Sequence, residues 1–140
     1  MSKPFVDSNV ILYLLSGDTA KADRAQDIVA AGAVISVQVL NEFANVLRRK
    51  RAMALPDVET LCTTLIDTCD VVDLSVRTHQ TALTLMARYN LSVYDANIVA
   101  AAVLSDCAVL YSEDMQDGLN IKLPGPTSAN ALVIRNPFRA

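Results

Sequence analysis

Ala33-Val34-Ile35-Ser36-Val37-Gln38-Val39-Leu40-Asn41-Glu42 passes from a short apolar run straight into a segment of helical period, with no loop between the two. Residues 33–36 read as a buried strand. Ser36 is placed to cap a helix over residues 37–50 whose apolar stripe is Val39, Phe43, Val46 and Leu47. A strand that hands over directly to a helix is the repeating unit of parallel α/β architecture.

Outward from this stretch the same alternation continues. Strands are predicted at residues 5–7, 33–36, 71–74 and 109–111, with a possible fifth near 120–122. Helices are predicted at 9–15, 19–31, 37–50, 56–67, 76–89 and 94–104, with Pro56 at the start of the fourth. The fold class is therefore α/β, with a central, mainly parallel sheet of four to five strands. The absence of repeats and low-complexity linkers makes residues 1–140 a single domain. Pro124-Gly125-Pro126 is a turn-rich break. Beyond it, Leu132-Val133-Ile134-Arg135-Asn136-Pro137-Phe138 reads either as a short edge strand or as a tail docked on the body.

A chain of 140 residues buries roughly 68% of its unfolded surface, enough to fold without disulfides or structural zinc. Cys62, Cys69 and Cys107 are odd in number, lie in apolar stretches and form no CxxC spacing, so they read as free structural thiols of a reducing compartment. Apolar residues at 52% and charged residues at 19% hint that a partner or second copy covers part of the surface. With a net charge of -3 the overall field repels nucleic acid, so a polyanion would need a local basic patch or bridging cations. No apolar run reaches the length of a membrane span, and the first residues lack a signal-like core, so a cytoplasmic location without membrane contact is expected.

Several chemistries find no support. The single histidine, His79, has no serine or cysteine motif beside it and reads as non-catalytic. Gly17, Gly32, Gly118 and Gly125 are too far apart for a phosphate loop or a dinucleotide fingerprint. What remains is carboxylate chemistry.

Asp7 and Asp114 each follow a predicted strand, where ligands of open α/β sheets bind. Asp95 lies at the start of a helix, and Glu42 borders the buried stripe of its own helix beside Gln38 and Asn45, where a carboxylate requires a partner. Each aspartate also has a plainer reading as a helix-start residue, and Ser92-Val93-Tyr94-Asp95 has the spacing of a capping box. If the four converge, mutual repulsion raises their pKa values and a divalent cation relieves it. An all-oxygen, histidine-poor set suits Mg2+ or Mn2+ better than zinc, and such an ion can activate water against a phosphodiester.

Four stretches carry a family resemblance: Pro4-Phe5-Val6-Asp7-Ser8-Asn9-Val10-Ile11-Leu12, Ser36-Val37-Gln38-Val39-Leu40-Asn41-Glu42, Tyr94-Asp95-Ala96-Asn97-Ile98-Val99-Ala100-Ala101-Ala102 and Leu110-Tyr111-Ser112-Glu113-Asp114-Met115. In this order and spacing the chain resembles PIN-domain ribonucleases, most closely the VapC-like toxins of toxin-antitoxin pairs. The resemblance implies a PIN-like three-layer α/β/α sandwich and Mg2+- or Mn2+-dependent endonucleolytic cleavage of single-stranded or loop RNA. It also implies a homodimer and neutralisation by a cognate antitoxin. Carried over by position, Asp7, Glu42, Asp95 and Asp114 correspond to the catalytic, metal-binding acids. Ser112 corresponds to the supporting hydroxyl, and Asn9 to the residue that steadies the first aspartate. Asp117 is a further candidate for a supporting position, while Glu113 is expected to face solvent.

Arg48-Arg49-Lys50-Arg51 is the dense basic run. It reads either as cations complementing a helix C-terminus or as a patch that steers RNA phosphates towards Glu42, and an acidic antitoxin surface could use the same patch. Tyr13, Tyr89, Tyr94 and Tyr111 are expected to pack in the core. Two other classes compete. A signalling receiver domain would want paired acids after the first strand and a lysine after the last, yet no lysine occurs between Lys50 and Lys122. A PIN-like scaffold without catalysis would not need the intact acidic set.

Overall fold

The computed structural model describes residues 2–123 and 131–139. The chain forms β1 (Phe5–Val6), α1 (Ser8–Leu12) continuing into a 3-10 turn (Tyr13–Leu15), α2 (Thr19–Ala31), β2 (Val34–Ser36), α3 (Val37–Arg49) and α4 (Leu55–Thr68). It continues with β3 (Asp70–Val72), α5 (Val76–Tyr89), α6 (Val93–Leu104), β4 (Val109–Tyr111), β5 (Asn120–Ile121) and β6 (Leu132–Arg135). The helices sandwich one sheet of order β3-β2-β1-β4-β6-β5, parallel throughout except for the β5-β6 pair.

Local chemistry sets the helix starts. Ser36 Oγ accepts from the Val39 N–H at 3.3 Å, as the opening stretch requires. Ser75 and Thr78 make a full capping box at α5, which ends at Asn90 in the left-handed conformation (φ 55°). Asp7 caps α1 itself, its side chain accepting from the Ser8 N–H.

The β1 and β2 residues Phe5, Val6 and Ile35 and the β4 and β6 residues Leu110 and Ile134 are fully buried, together with Ile98 and Val99 of α6. Burying each such side chain contributes about 1.5–3 kcal/mol. β6 corrects two expectations at once. The sheet has six strands rather than four to five, and the late apolar stretch is an inner strand between β4 and β5 rather than an edge strand or a docked tail. Its Leu-Val-Ile run is the continuous hydrophobicity that a strand covered on both faces needs. The turn signal Pro124-Gly125-Pro126 lies outside the described residues.

The topology locates the site. From β1 the chain steps to β2 and β3 on one side, then returns through α5 and α6 to β4 on the other side of β1. The crevice at the carboxyl ends of β1 and β4 is therefore a topological switch point.

Candidate active site

Val6 pairs with Tyr111 across β1 and β4, so the residues that follow, Asp7 and Ser112, meet at this crevice. The Asp7 N–H donates to Tyr111 O at 3.0 Å and continues the ladder by one step. The Asp7 carboxylate is only 5% exposed and is held by a ring of donors. Oδ1 accepts from the Ser8 N–H at 2.7 Å, and Oδ2 accepts from Ser112 Oγ at 2.9 Å and from Asn9 Nδ2 at 3.2 Å. Asn9 also donates to Ser112 Oγ at 3.2 Å and accepts the Glu113 N–H at 3.0 Å, so one amide ties the ends of both strands together. Asn9 and Ser112 thus both hydrogen-bond the Asp7 carboxylate.

Glu42 has the partners its position demanded. Ser8 Oγ donates to Oε1 at 3.0 Å, and Gln38 Nε2, one helical turn earlier, donates to Oε2 at 3.3 Å. The Ser8 hydroxyl lies 3.5 Å from Asp7 Oδ1 as well, so this residue bridges the first two acids. Its bridging role escapes a sequence reading because a serine after Asp7 looks like an ordinary helix-start residue.

Asp95 and Asp114 are exposed. Ser92 Oγ accepts from the Asp95 N–H at 3.1 Å and so caps α6. The four acids influence one another. Asp7 is pushed up to about 6, first by burial, against the Ser112 and Ser8 hydrogen bonds, with the negative charges of Glu42 and Asp95 adding to it. Asp95 is also raised, first by loss of water around its carboxyl and then by Asp114. Burial thus outranks the mutual repulsion expected from the sequence. Among the described residues, no three Asp, Glu, His or Cys side chains stand close enough to grip one ion. Asp95 and Asp114, being exposed, can change rotamer at little cost, whereas Asp7 and Glu42 are fixed.

Two expectations need correction, those for Glu113 and Tyr94. Glu113 does not face solvent. It is a half-buried acceptor for Tyr13 Oη at 2.5 Å and Lys21 Nζ at 2.7 Å, and these outweigh the burial that opposes its ionisation, so its pKa falls below the ordinary range. The sequence gives little sign of this, because Tyr13 and Lys21 lie 100 and 92 residues away. Asp117 is engaged by the C-terminal segment: Oδ1 accepts from the Asn136 N–H at 2.9 Å, and Oδ2 lies 3.9 Å from Arg139. Tyr94 is 65% exposed rather than packed, whereas Tyr13, Tyr89 and Tyr111 are half-buried. Of the cysteines, Cys69 and Cys107 are buried and Cys62 is half-buried, all three as free thiols.

The basic run separates. Arg48 donates to Met53 O at 2.9 Å and so closes the turn after α3, and Arg49 and Lys50 are exposed. Arg51 reaches the site: with Asn9, Leu12, Tyr13, Ser16, Glu113 and Asp114 it lines a cleft of about 310 Å³.

Asp7 thus lies at the switch point of a mainly parallel α/β/α sheet, with Glu42 joined to it through Ser8. The family model of the PIN domain matches residues 5–117, and the chain belongs to that family. No curated protein matches the sequence. Solved structures share the fold. A toxin-antitoxin complex from Klebsiella pneumoniae superposes with a TM-score of 0.68 at 18% identity, covering 98% of this chain and 99% of that one. VapC20 of Mycobacterium tuberculosis, a Sarcin-Ricin loop cleaving toxin, gives 0.64 at 19% identity over 79% of this chain and 88% of that one. A DNA-bound VapBC from Salmonella typhimurium gives 0.66 at 14% identity over 98% and 99%.

Proposed function

We infer that this protein is a metal-dependent endoribonuclease, the toxin of a toxin-antitoxin pair. The observation that carries the reading is the buried Asp7 carboxylate at the switch point, bridged to Glu42 by Ser8 and coupled by charge to Asp95. Family membership supports it.

Asp7, Glu42, Asp95 and Asp114 would hold Mg2+ or Mn2+, and their all-oxygen chemistry fits a hard cation. Bound there, such an ion supplies positive charge to the scissile phosphate and makes a water nucleophilic at neutral pH. The chain's own groups prepare this. Ser112 and Asn9 fix one Asp7 oxygen, and the Ser8 N–H fixes the other while leaving a lone pair on it. Gln38 and Ser8 hold Glu42 towards the same crevice, and rotamer changes of Asp95 and Asp114 complete the set. Single-stranded or looped RNA is the proposed substrate, because a chain with its bases splayed can enter an open crevice.

A cognate antitoxin is the proposed partner, in keeping with the complexes that share this fold. Val76 and Leu83, 73% and 49% exposed, share one face of α5 and offer a surface for a second copy. Among the described residues no helix is long and apolar enough to cross a membrane. The proposed location is the cytoplasm, which suits three free cysteine thiols.

Purified wild type and Asp7→Asn, incubated with total RNA in Mg2+, Mn2+ or EDTA, test the reading. Cleavage by the wild type in either metal alone supports it, and equal cleavage by both forms, or cleavage undiminished by EDTA, refutes it.

A further inference from the structure

The cleft beside the acids has two electrical sides. Asp114 lies on one. Glu113 is neutralised by its 2.7 Å ion pair with Lys21, which leaves Arg51 as the cation among the lining residues. Arg51 Nη1 donates to Leu15 O at a long 3.5 Å, which occupies one of five N–H donors and places the guanidinium next to Ser16. Ser16 Oγ accepts from the Asp18 N–H at 3.0 Å, so its oxygen is oriented while its proton is available to donate. Asn9, by contrast, has its amide engaged with Asp7, Ser112 and Glu113. Arg51 and Ser16 are thus the donors that face an incoming anion.

Leu12 and Tyr13 line the same cleft. The Tyr13 ring is immobilised by its bond to Glu113, by an edge contact with Phe138 at 4.8 Å between centroids, and by the Lys21 ammonium 4.7 Å from its centroid. A rigid aromatic wall, a cation with free donors and a hydroxyl, in a cleft of about 310 Å³, match one nucleotide: a phosphate for the donors and a ring for the wall.

We propose that Arg51 and the Ser16 hydroxyl form a phosphate subsite that holds the RNA nucleotide next to the linkage being cut, with Leu12 and Tyr13 walling its base or sugar. The subsite rests on the ribonuclease reading and deepens it. It separates two neighbouring phosphates by chemistry: the one at the acids needs a bridging cation, and the next is held by the protein directly. It also explains how a chain of net charge -3 engages a polyanion, through one cation placed in register with the site rather than through a diffuse basic surface.

The test is binding of a fluorescein-labelled single-stranded RNA of mixed sequence to the Asp7→Asn protein, measured by anisotropy over a salt series. Arg51→Ala, Arg51→Lys, Ser16→Ala and Arg49→Ala are made in that background, and thermal melts confirm that each folds. Arg51→Ala should weaken binding about tenfold, the worth of one charge-assisted hydrogen-bonding group. Its salt slope should fall by about 0.7, the value for one phosphate contact on a single strand. Arg51→Lys should keep the slope and recover part of the affinity, and Ser16→Ala should weaken binding by a smaller factor. Arg49→Ala measures the loss of one charge outside the cleft and should cost less than Arg51→Ala. Equal losses for Arg51→Ala and Arg49→Ala overturn the subsite while leaving the ribonuclease reading intact. So does unchanged RNA affinity in Arg51→Ala, which would give the cleft to a carboxylate-bearing protein partner. If the Asp7→Asn parent binds no RNA and the wild type cuts none, the ribonuclease reading falls and the subsite with it.

Discussion

Ser8 joins Glu42 to the crevice: its hydroxyl donates to Glu42 Oε1 at 3.0 Å while its backbone N–H donates to Asp7 Oδ1 at 2.7 Å. One residue at the first turn of α1 thereby sets the relative position of two carboxylates that are 35 residues apart in sequence.

Ser8→Ala keeps the backbone bond and removes the bridge. RNA cleavage at saturating Mn2+ should slow by about 10–100-fold, as is usual when a group orienting a metal ligand is lost. Stability should fall by only about 1 kcal/mol. Ser8→Thr, which retains the hydroxyl, should recover most of the rate. An unchanged rate in Ser8→Ala would remove Ser8 from the site.

The buried Asp7 makes stability depend on pH in an unusual direction. Its carboxyl is raised from 3.8 to about 6 in the fold, so the folded state binds the proton more tightly than the unfolded chain does. With metal removed by EDTA, the protein should therefore gain stability as pH falls from about 6 towards 4, by roughly 3 kcal/mol if this group acts alone. Above pH 6 that gain is absent. Urea denaturation at pH 7 and pH 5 measures it, and Asp7→Asn should flatten the trend. Identical pH dependence in the two proteins would show that Asp7 is not the group responsible.

Mn2+ affinity should move the opposite way, because the ion competes with the Asp7 proton. At pH 7.5, Mn2+ at about 100 times its Kd should stabilise the wild type by about 2.7 kcal/mol. The effect should shrink at pH 5 and vanish in Asp7→Asn. A wild-type melting temperature indifferent to Mn2+ at both pH values would count against convergence of the four acids.

Lys21 and Glu113 form a partly exposed pair, so their coupling is modest. A double-mutant cycle with Lys21→Met and Glu113→Gln should give about 1 kcal/mol. The double variant should be more stable than Lys21→Met alone, which leaves a half-buried carboxylate without its cation. Additive losses in chemical denaturation would show the pair to be energetically idle.

Ile134→Ala reports on the inner position of β6. Ile134 is fully buried, and its truncation should cost about 2–5 kcal/mol. Val133→Ala, at a half-buried position, should cost clearly less. Losses below about 1 kcal/mol at Ile134 would be those of a surface tail instead.

What could be read from the sequence was local. The start of α3 at Ser36 and the strand-helix alternation follow from caps and periodicity, which neighbouring residues determine. The inner position of β6 follows from pairing with β4, more than twenty residues earlier, and a short apolar run does not announce its neighbours. The same division holds at the site. Asp7 and Asp114 were legible as residues at strand ends, and Glu42 as a carboxylate in need of partners. Glu113 was misread because its cation and its hydroxyl come from the other end of the chain. Arg51 could not be told from Arg48 and Arg49 until the fold turned it towards the cleft.

The place of β6 also bears on the order in which the molecule is made. Ribosomal synthesis delivers residues 132–135 after every other strand, yet β6 lies between β4 and β5, and the Ser112 N–H donates to Arg135 O at 3.0 Å. Until that segment emerges, β4 is an open edge, β5 lacks its partner, and Ser112, which hydrogen-bonds Asp7, lacks its backbone bond to Arg135. A nascent chain therefore carries all four acids before β6 can pair, and under the ribonuclease reading proposed above the capacity to cut RNA would arise only once this segment has been translated.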